Sequence, residues 1–144
     1  MAFQLRRADY FYTTVQNDPA EAWQLLSRLS ARKVNLLAFS AVPIGPTRTQ
    51  LTLFPEEDRR LAEAAREEGL DLDGPHQAIL VQGDDELGAL AAIHEKLAEA
   101  RAHVYASTGV TDGHGSYGYV IYVRPDEFEA AALALGLWER KAER

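Results

Sequence analysis

Apolar residues fall along this chain in two rhythms that take turns. Tyr10-Phe11-Tyr12-Thr13-Thr14-Val15 is an aromatic and β-branched run, which predicts a strand. Ala22, Leu25, Leu26 and Leu29 then recur at i, i+3, i+4 and i+7, one apolar face of a helix. Asn17-Asp18-Pro19 opens that helix: Asp18 or Asn17 can cap it, and Pro19 suits its first turn. Residues 34–42 return to strand character, Ile44-Gly45-Pro46 turns the chain, and residues 50–54 read as a third strand. Pro55 starts a second helix, with Glu56-Glu57-Asp58 as a solvated, dipole-favoured first turn and an end near Gly69. Leu70-Asp71-Leu72 reads as a short fourth strand.

The same order returns 68 residues later: Leu25 matches Ile93, Leu29 matches Leu97, Leu36 matches Val104, Ala38 matches Ala106 and Leu53 matches Ile121. The second copy predicts a strand at 77–82, a helix from 85 to about 100, strands at 102–108 and 118–123, a helix at about 126–135 and a strand at 137–139. The chain thus divides into a unit over residues 8–73 and a unit over residues 76–141, with Asp73-Gly74-Pro75 as a turn between them. β-α-β-β-α-β, twice, is a ferredoxin-like α+β arrangement: antiparallel sheets with helices on one face. The other face should be polar if water meets it. Yet Tyr10 and Tyr12 alternate with Phe11, and Tyr119, Ile121 and Val123 alternate with Val120 and Tyr122. Apolar residues on both faces predict a sheet covered by another subunit, hence a homodimer. On this reading Tyr117, Tyr119 and Tyr122 are sheet and interface residues.

Composition narrows the chemistry. In 144 residues, 47% hydrophobic and 26% charged residues make a globular chain. Its lack of cysteine excludes disulfides, thiol nucleophiles and thiolate metal sites. A net charge of −7 argues against nucleic acid and anionic membranes as partners. No apolar run is long enough to span a bilayer, and the first nine residues lack a secretory apolar stretch. The expectation is a soluble, cytoplasmic protein.

Loop and helix residues carry a family likeness. Asn17-Asp18-Pro19-Ala20 leads through a helix to Lys33-Val34-Asn35-Leu36, and Asp85-Glu86-Leu87-Gly88 leads through a second to Arg101-Ala102-His103-Val104. This resembles the ACT domain family, in tandem and without an attached catalytic domain. That family carries an Asp-x-Pro-Gly loop before its first helix and an asparagine at the next strand start. Unit one keeps the proline, with Asn17 for the aspartate and Ala20 for the glycine. Unit two keeps Asp85 and Gly88, with Leu87 for the proline and His103 for the asparagine. The resemblance implies a non-catalytic regulatory module that binds a small molecule, commonly an amino acid, between ACT units. A regulated enzyme or transcription factor would be its partner. The residues it implies for ligand binding are Asn17, Asp18, Pro19, Ala20, Asn35, Leu36, Asp85, Glu86, Leu87, Gly88 and His103. A loop entering a helix N-terminus offers free amides to a carboxylate, and glycine lets a ligand approach the backbone. Asp, Asn and Pro before a helix are also ordinary capping residues.

Other constellations carry less. Gly115-Ser116-Tyr117-Gly118-Tyr119-Val120-Ile121-Tyr122 echoes the aromatic strand of an RNA recognition motif but lacks its basic residue. Asp112, His114 and Ser116 sit at alternate positions of one Gly-rich hairpin, an unsuitable scaffold for a catalytic triad. The four histidines have no metal-site spacing, His94 lies on the apolar helix stripe, and no phosphate or dinucleotide fingerprint is present. No catalytic residue, cofactor or metal is expected. An adaptor with degenerate ligand sites, and less readily an RNA-binding module, are the alternative readings.

Overall fold

The computed structural model describes residues 3–137. Its elements are β1 (Phe3–Gln16), α1 (Pro19–Ala31), β2 (Leu36–Ile44), β3 (Arg48–Pro55), α2 (Asp58–Glu68), β4 (Asp73–Asp84), α3 (Ala89–Glu99), β5 (Val104–Thr111), β6 (Ser116–Val123) and α4 (Phe128–Ala134), the last entered through one 3-10 turn. The strands hydrogen-bond in the order β2-β3-β1-β4-β6-β5. The β1–β3, β2–β3, β4–β6 and β5–β6 pairings are antiparallel. This is an α+β, ferredoxin-like arrangement.

The chain forms two compact units, one of Asp9–His76 and one of Met1–Ala8 with Gln77–Arg144. In the first, α1 and α2 cover one sheet face. Leu25 and Leu29 of α1 and Leu61 of α2 are buried with Phe11, Leu51 and Leu53 from the strands. The period of 3.6 in the helices and of 2 in the strands brings those side chains together. Gly69, in the left-handed conformation at φ 68°, ends α2. The opposite face carries Tyr10, Tyr12, Phe54 and His76 in ring contact, with the Tyr12 and His76 rings stacked 5.1 Å apart.

In the second unit, Ile79, Val81, Ile93, Leu97, Ile121 and Phe128 are buried. Phe3 and Leu5 pack against that core, and Arg7 makes two 2.8 Å hydrogen bonds to Glu129 of α4. The first residues of β1, which the repeat leaves outside both units, therefore belong to this one. Strand β1 neighbours β4 in the sheet.

Several predicted elements differ. Leu70-Asp71-Leu72 is not a strand; Leu70 and Leu72 pack half-buried on the first core, and β4 begins at Asp73. Asp73-Gly74-Pro75 is the start of that long strand and not a turn, with a cis peptide at Gly74–Pro75. Gly74 passes so close to β1 that a Cβ there would lie 2.6 Å from the Phe11 ring and 2.8 Å from the Tyr10 carbonyl oxygen. Of the strand expected at 137–139, Leu137 joins no element and the rest lies outside the described residues. Tyr117 and Tyr119 are not on the open face. They alternate with Gly118 and Val120 and point into the helix-covered core, which already holds Ile121 and Val123.

Candidate functional site

The two strand-to-helix loops fold to different ends. In the first, the Asp18 carboxylate accepts the Ala20 N–H at 2.9 Å, and Glu21 reaches back to the Gln16 N–H at 2.7 Å. The N-terminus of α1 is thus satisfied by its own side chains, and Pro19 offers no amide. Asn35 sits at the far end of that unit's helix. Its side-chain amide donates to Glu56 at 2.6 Å, and its carbonyl accepts the Glu56 N–H at 2.8 Å. Leu36, beside it, packs half-buried on the core.

In the second loop, Asp85 is tied to the hairpin through its N–H and the Gly115 carbonyl, 2.8 Å apart. Gly88 caps α3 at φ 81°, a conformation glycine accepts freely, and no side chain caps the helix. Nothing lies within 4 Å of the position a Gly88 Cβ would take. Helix α3 begins at Ala89 rather than at residue 85, so Asp85, Glu86 and Leu87 form a loop ahead of it, with the Leu87 side chain fully exposed. His103 matches Asn35 in place and in fate: its Nδ1 lies 2.8 Å from a Glu127 carboxylate oxygen, and its N–H donates to the other at 3.2 Å.

A groove of about 660 Å³ opens at the uncapped end of α3. One wall is the 85–88 loop with Leu90 and Ala91; the other is Gly109, Val110 and Thr111 of β5, and Tyr117 closes it. Tyr117 is only 8% exposed, and among the described residues its buried hydroxyl has no hydrogen-bond partner. Burial first, then the charges of Glu86 and Asp84, push that hydroxyl above the usual tyrosine pKa, so it is a neutral donor at pH 7. Deeper in the same unit, His94 Nε2 and the Tyr119 hydroxyl are 2.6 Å apart. Gly109 faces the Tyr119 ring so closely that a Cβ would come within 2.9 Å of it.

The structure thus gathers Asp85, Glu86, Leu87 and Gly88 around one groove and leaves Asn17, Asp18, Pro19, Ala20, Asn35, Leu36 and His103 outside its lining. Tyr117 and the end of β5 are groove residues that the loop motif does not announce. The signal was the two-residue alternation Tyr117, Tyr119, Ile121, Val123, which places Tyr117 on the helix side.

The remaining constellations have structural roles. The Asp112 carboxylate accepts the His114 and Ser116 N–H groups at 2.6 and 3.1 Å, which shapes the β5–β6 hairpin and pulls its pKa down. The acidic start of α2 is not wholly solvated. Asp58 is pushed up to about 7 by burial, then by its hydrogen bond to Asp9 and that group's charge. Among the described residues no group of three or more His, Asp or Glu could hold a metal ion, and no helix is long and apolar enough to cross a membrane.

No family model and no curated protein matches the chain. Solved structures do. A Bacteroides thetaiotaomicron protein is 14% identical with a TM-score of 0.77 over 92% of this chain and 88% of its own. The ligand-free regulatory subunit of aspartate kinase from Thermus thermophilus is 16% identical with a TM-score of 0.60 over 96% of both chains. Its Thermus flavus counterpart is 17% identical with a TM-score of 0.59 over 94% of both. At these identities the likeness is one of fold.

Proposed function

We propose that the protein is a non-catalytic regulatory module of two ACT-like units, built over residues 8–73 and 76–141, that binds a small molecule, an amino acid, in the groove at the N-terminus of α3. One observation carries this reading: a helix end without a side-chain cap, opened by Gly88, lines the same groove as Tyr117, whose buried hydroxyl has no hydrogen-bond partner among the described residues. Buried polar groups are nearly always satisfied, so such a hydroxyl points to a missing partner atom. The regulatory subunits of aspartate kinase among its structural neighbours support a regulatory role. The groove is open on one side, which suits a homodimer in which a second copy completes it. A regulated enzyme or transcription factor is then the protein that reads the bound state. The loops at Asn17–Ala20 and Asn35 serve structure in this reading, and unit two carries the ligand.

The burial of Tyr117 and Tyr119 weighs against RNA binding, because stacking on bases needs both rings on the open sheet face. The test of the main reading is a thermal-shift screen of dialysed, refolded protein against the twenty amino acids. A ligand at about 100 times its Kd stabilises by roughly 2.7 kcal/mol, a shift of roughly 5–11 °C at this size. Gly88→Val should abolish the shift; because a side chain at φ 81° also strains the entry to α3, circular dichroism and a ligand-free melting curve accompany it. No shift with any amino acid would leave the adaptor reading.

A further inference from the structure

Unit two has a second concavity, over the helix-free face of its strands. In β6, Ser116 and Gly118 alternate with the core residues Tyr117 and Tyr119, so they stand on that face. Asp84 and Gln82 of β4 lie opposite Ser116 and Gly118, and Val110 of β5 lies opposite Gly118 on the other side. Asp112 completes the Ser116 row, because its carboxylate accepts the Ser116 N–H at 3.1 Å. A cavity of about 690 Å³ is lined by these two rows and by Gln4 of β1.

At the same register unit one reads Gln16–Arg48–Ile44 and Thr14–Gln50–Val42. Where unit one carries the long side chains of Arg48 and Gln50, unit two carries Ser116 and Gly118. Where unit one carries Gln16 and Ile44, unit two carries Asp84 and Asp112. The backbone does not require the glycine. Gly118 is not among the residues of positive φ, and a Cβ on it would meet nothing within 4 Å. Glycine weakens a strand interior and marks places where a ligand or another backbone approaches closely. The exchange also has a sign: an arginine is lost and two carboxylates are gained. Among the described residues, no lysine or arginine lines the cavity. Both side-chain hydrogen bonds of Asp112 fall on Oδ1, which leaves Oδ2 to a ligand.

We propose that this cavity is a second binding site, independent of the α3 groove, for a small guanidinium compound on an aliphatic stem. The planar cation lies over the bare backbone of Gly118. It donates to the Asp84 carboxylate, to Asp112 Oδ2 and to the side-chain carbonyls of Gln4 and Gln82, and its stem packs on Val110. A guanidinium suits the site better than an ammonium, because its rigid fork of donors serves acceptors on both sides of one strand. The cavity volume is that of a small-molecule site.

Titration of the isotope-labelled full chain, followed by its amide chemical shifts, tests this with butylguanidinium, butylamine, pentanoate and the tripeptide acetyl-Ala-Arg-Ala-amide. Butylguanidinium is expected to give saturable shifts centred on Gly83, Ser116 and Gly118, with butylamine weaker and pentanoate silent. Asp84→Asn should weaken butylguanidinium about tenfold. Gly118→Gln copies Gln50 of unit one and should abolish binding without lowering the melting temperature. Ser116→Arg copies Arg48 and should do the same, by supplying the cation from the chain itself. No saturable shift at Gly118, shifts confined to the amides of residues 85–90, pentanoate binding as tightly as butylguanidinium, or binding that survives both Gly118→Gln and Ser116→Arg would overturn the site. The tripeptide binding far more tightly than butylguanidinium would overturn the small-molecule source and assign the cavity to an arginine of a partner protein.

Discussion

His103 and Glu127 hold each other at the start of β5. The imidazole Nδ1 lies 2.8 Å from one carboxylate oxygen, and the His103 N–H donates to the other oxygen at 3.2 Å. The pair repeats what Asn35 and Glu56 do in the other unit, where a polar strand start is tied to an acid beyond the neighbouring strand. A residue held on both its side chain and its backbone is already occupied, so neither strand start offers a ligand its donors.

The Glu127 carboxyl titrates below its usual range because of His103, chiefly the side-chain hydrogen bond. A depressed folded pKa contributes stability above the ordinary carboxyl pKa and loses it as pH falls through the folded value. Glu127→Gln should therefore lower the melting temperature at pH 7 and flatten its fall below about pH 4.5. A melting curve series from pH 3 to 7 checks this; an unchanged acid limb would count against the clamp.

Asp58 carries the opposite sign. Its folded pKa, raised to about 7, makes the protein most stable below the ordinary carboxyl value, and stability falls as pH rises through about 7. Asp58→Asn should raise the melting temperature at pH 8 and leave it nearly unchanged at pH 4. Solvent screening at this half-exposed site holds the gain to about 1 kcal/mol. Asp9→Asn should act in the same direction, because it removes the neighbouring charge.

The two loops should separate under mutation. Asp18→Ala removes a helix cap and should cost about 1 kcal/mol, without changing any ligand-induced shift. Asn35→Ala should likewise destabilise and leave ligand response intact. A ligand shift lost in Asp18→Ala or Asn35→Ala would return unit one to the binding site.

Oligomeric state has its own test. Light scattering should give at least twice the mass of one chain at micromolar concentration. Tyr12→Glu, on the helix-free face, should weaken that assembly in a concentration-dependent way. Tyr119→Glu should instead unfold the protein regardless of concentration, because it places a carboxylate beside His94 in a packed core. A monomer at every concentration would remove the second copy from the proposal.

Local physics was legible in the sequence. The stripes Leu25–Leu29 and Ile93–Leu97, the cap at Asp18, the glycine at the head of α3 and the two-fold repeat all follow from spacings of a few residues. The sheet-order consequences were not. Nothing local tells residues 3–8 to join a unit that otherwise begins at residue 77; strand pairing decides it, through contacts more than sixty positions apart. The same distance hid the groove. Gly88 announces an open helix end by its residue type, but whether that end is capped, and by what, depends on the β5–β6 hairpin that stands opposite. Tyr117 becomes a groove residue only because β6 presents it to the helix side, where burial removes water from its hydroxyl and, among the described residues, no hydrogen bond replaces it. The sequence by itself determined most of the helices and strands and the buried stripes of α1 and α3, because those depend on neighbours along the chain. The tertiary structure alone decided which loop closes on itself and which stays open, because that depends on the hydrogen-bond partners that distant segments bring or fail to bring.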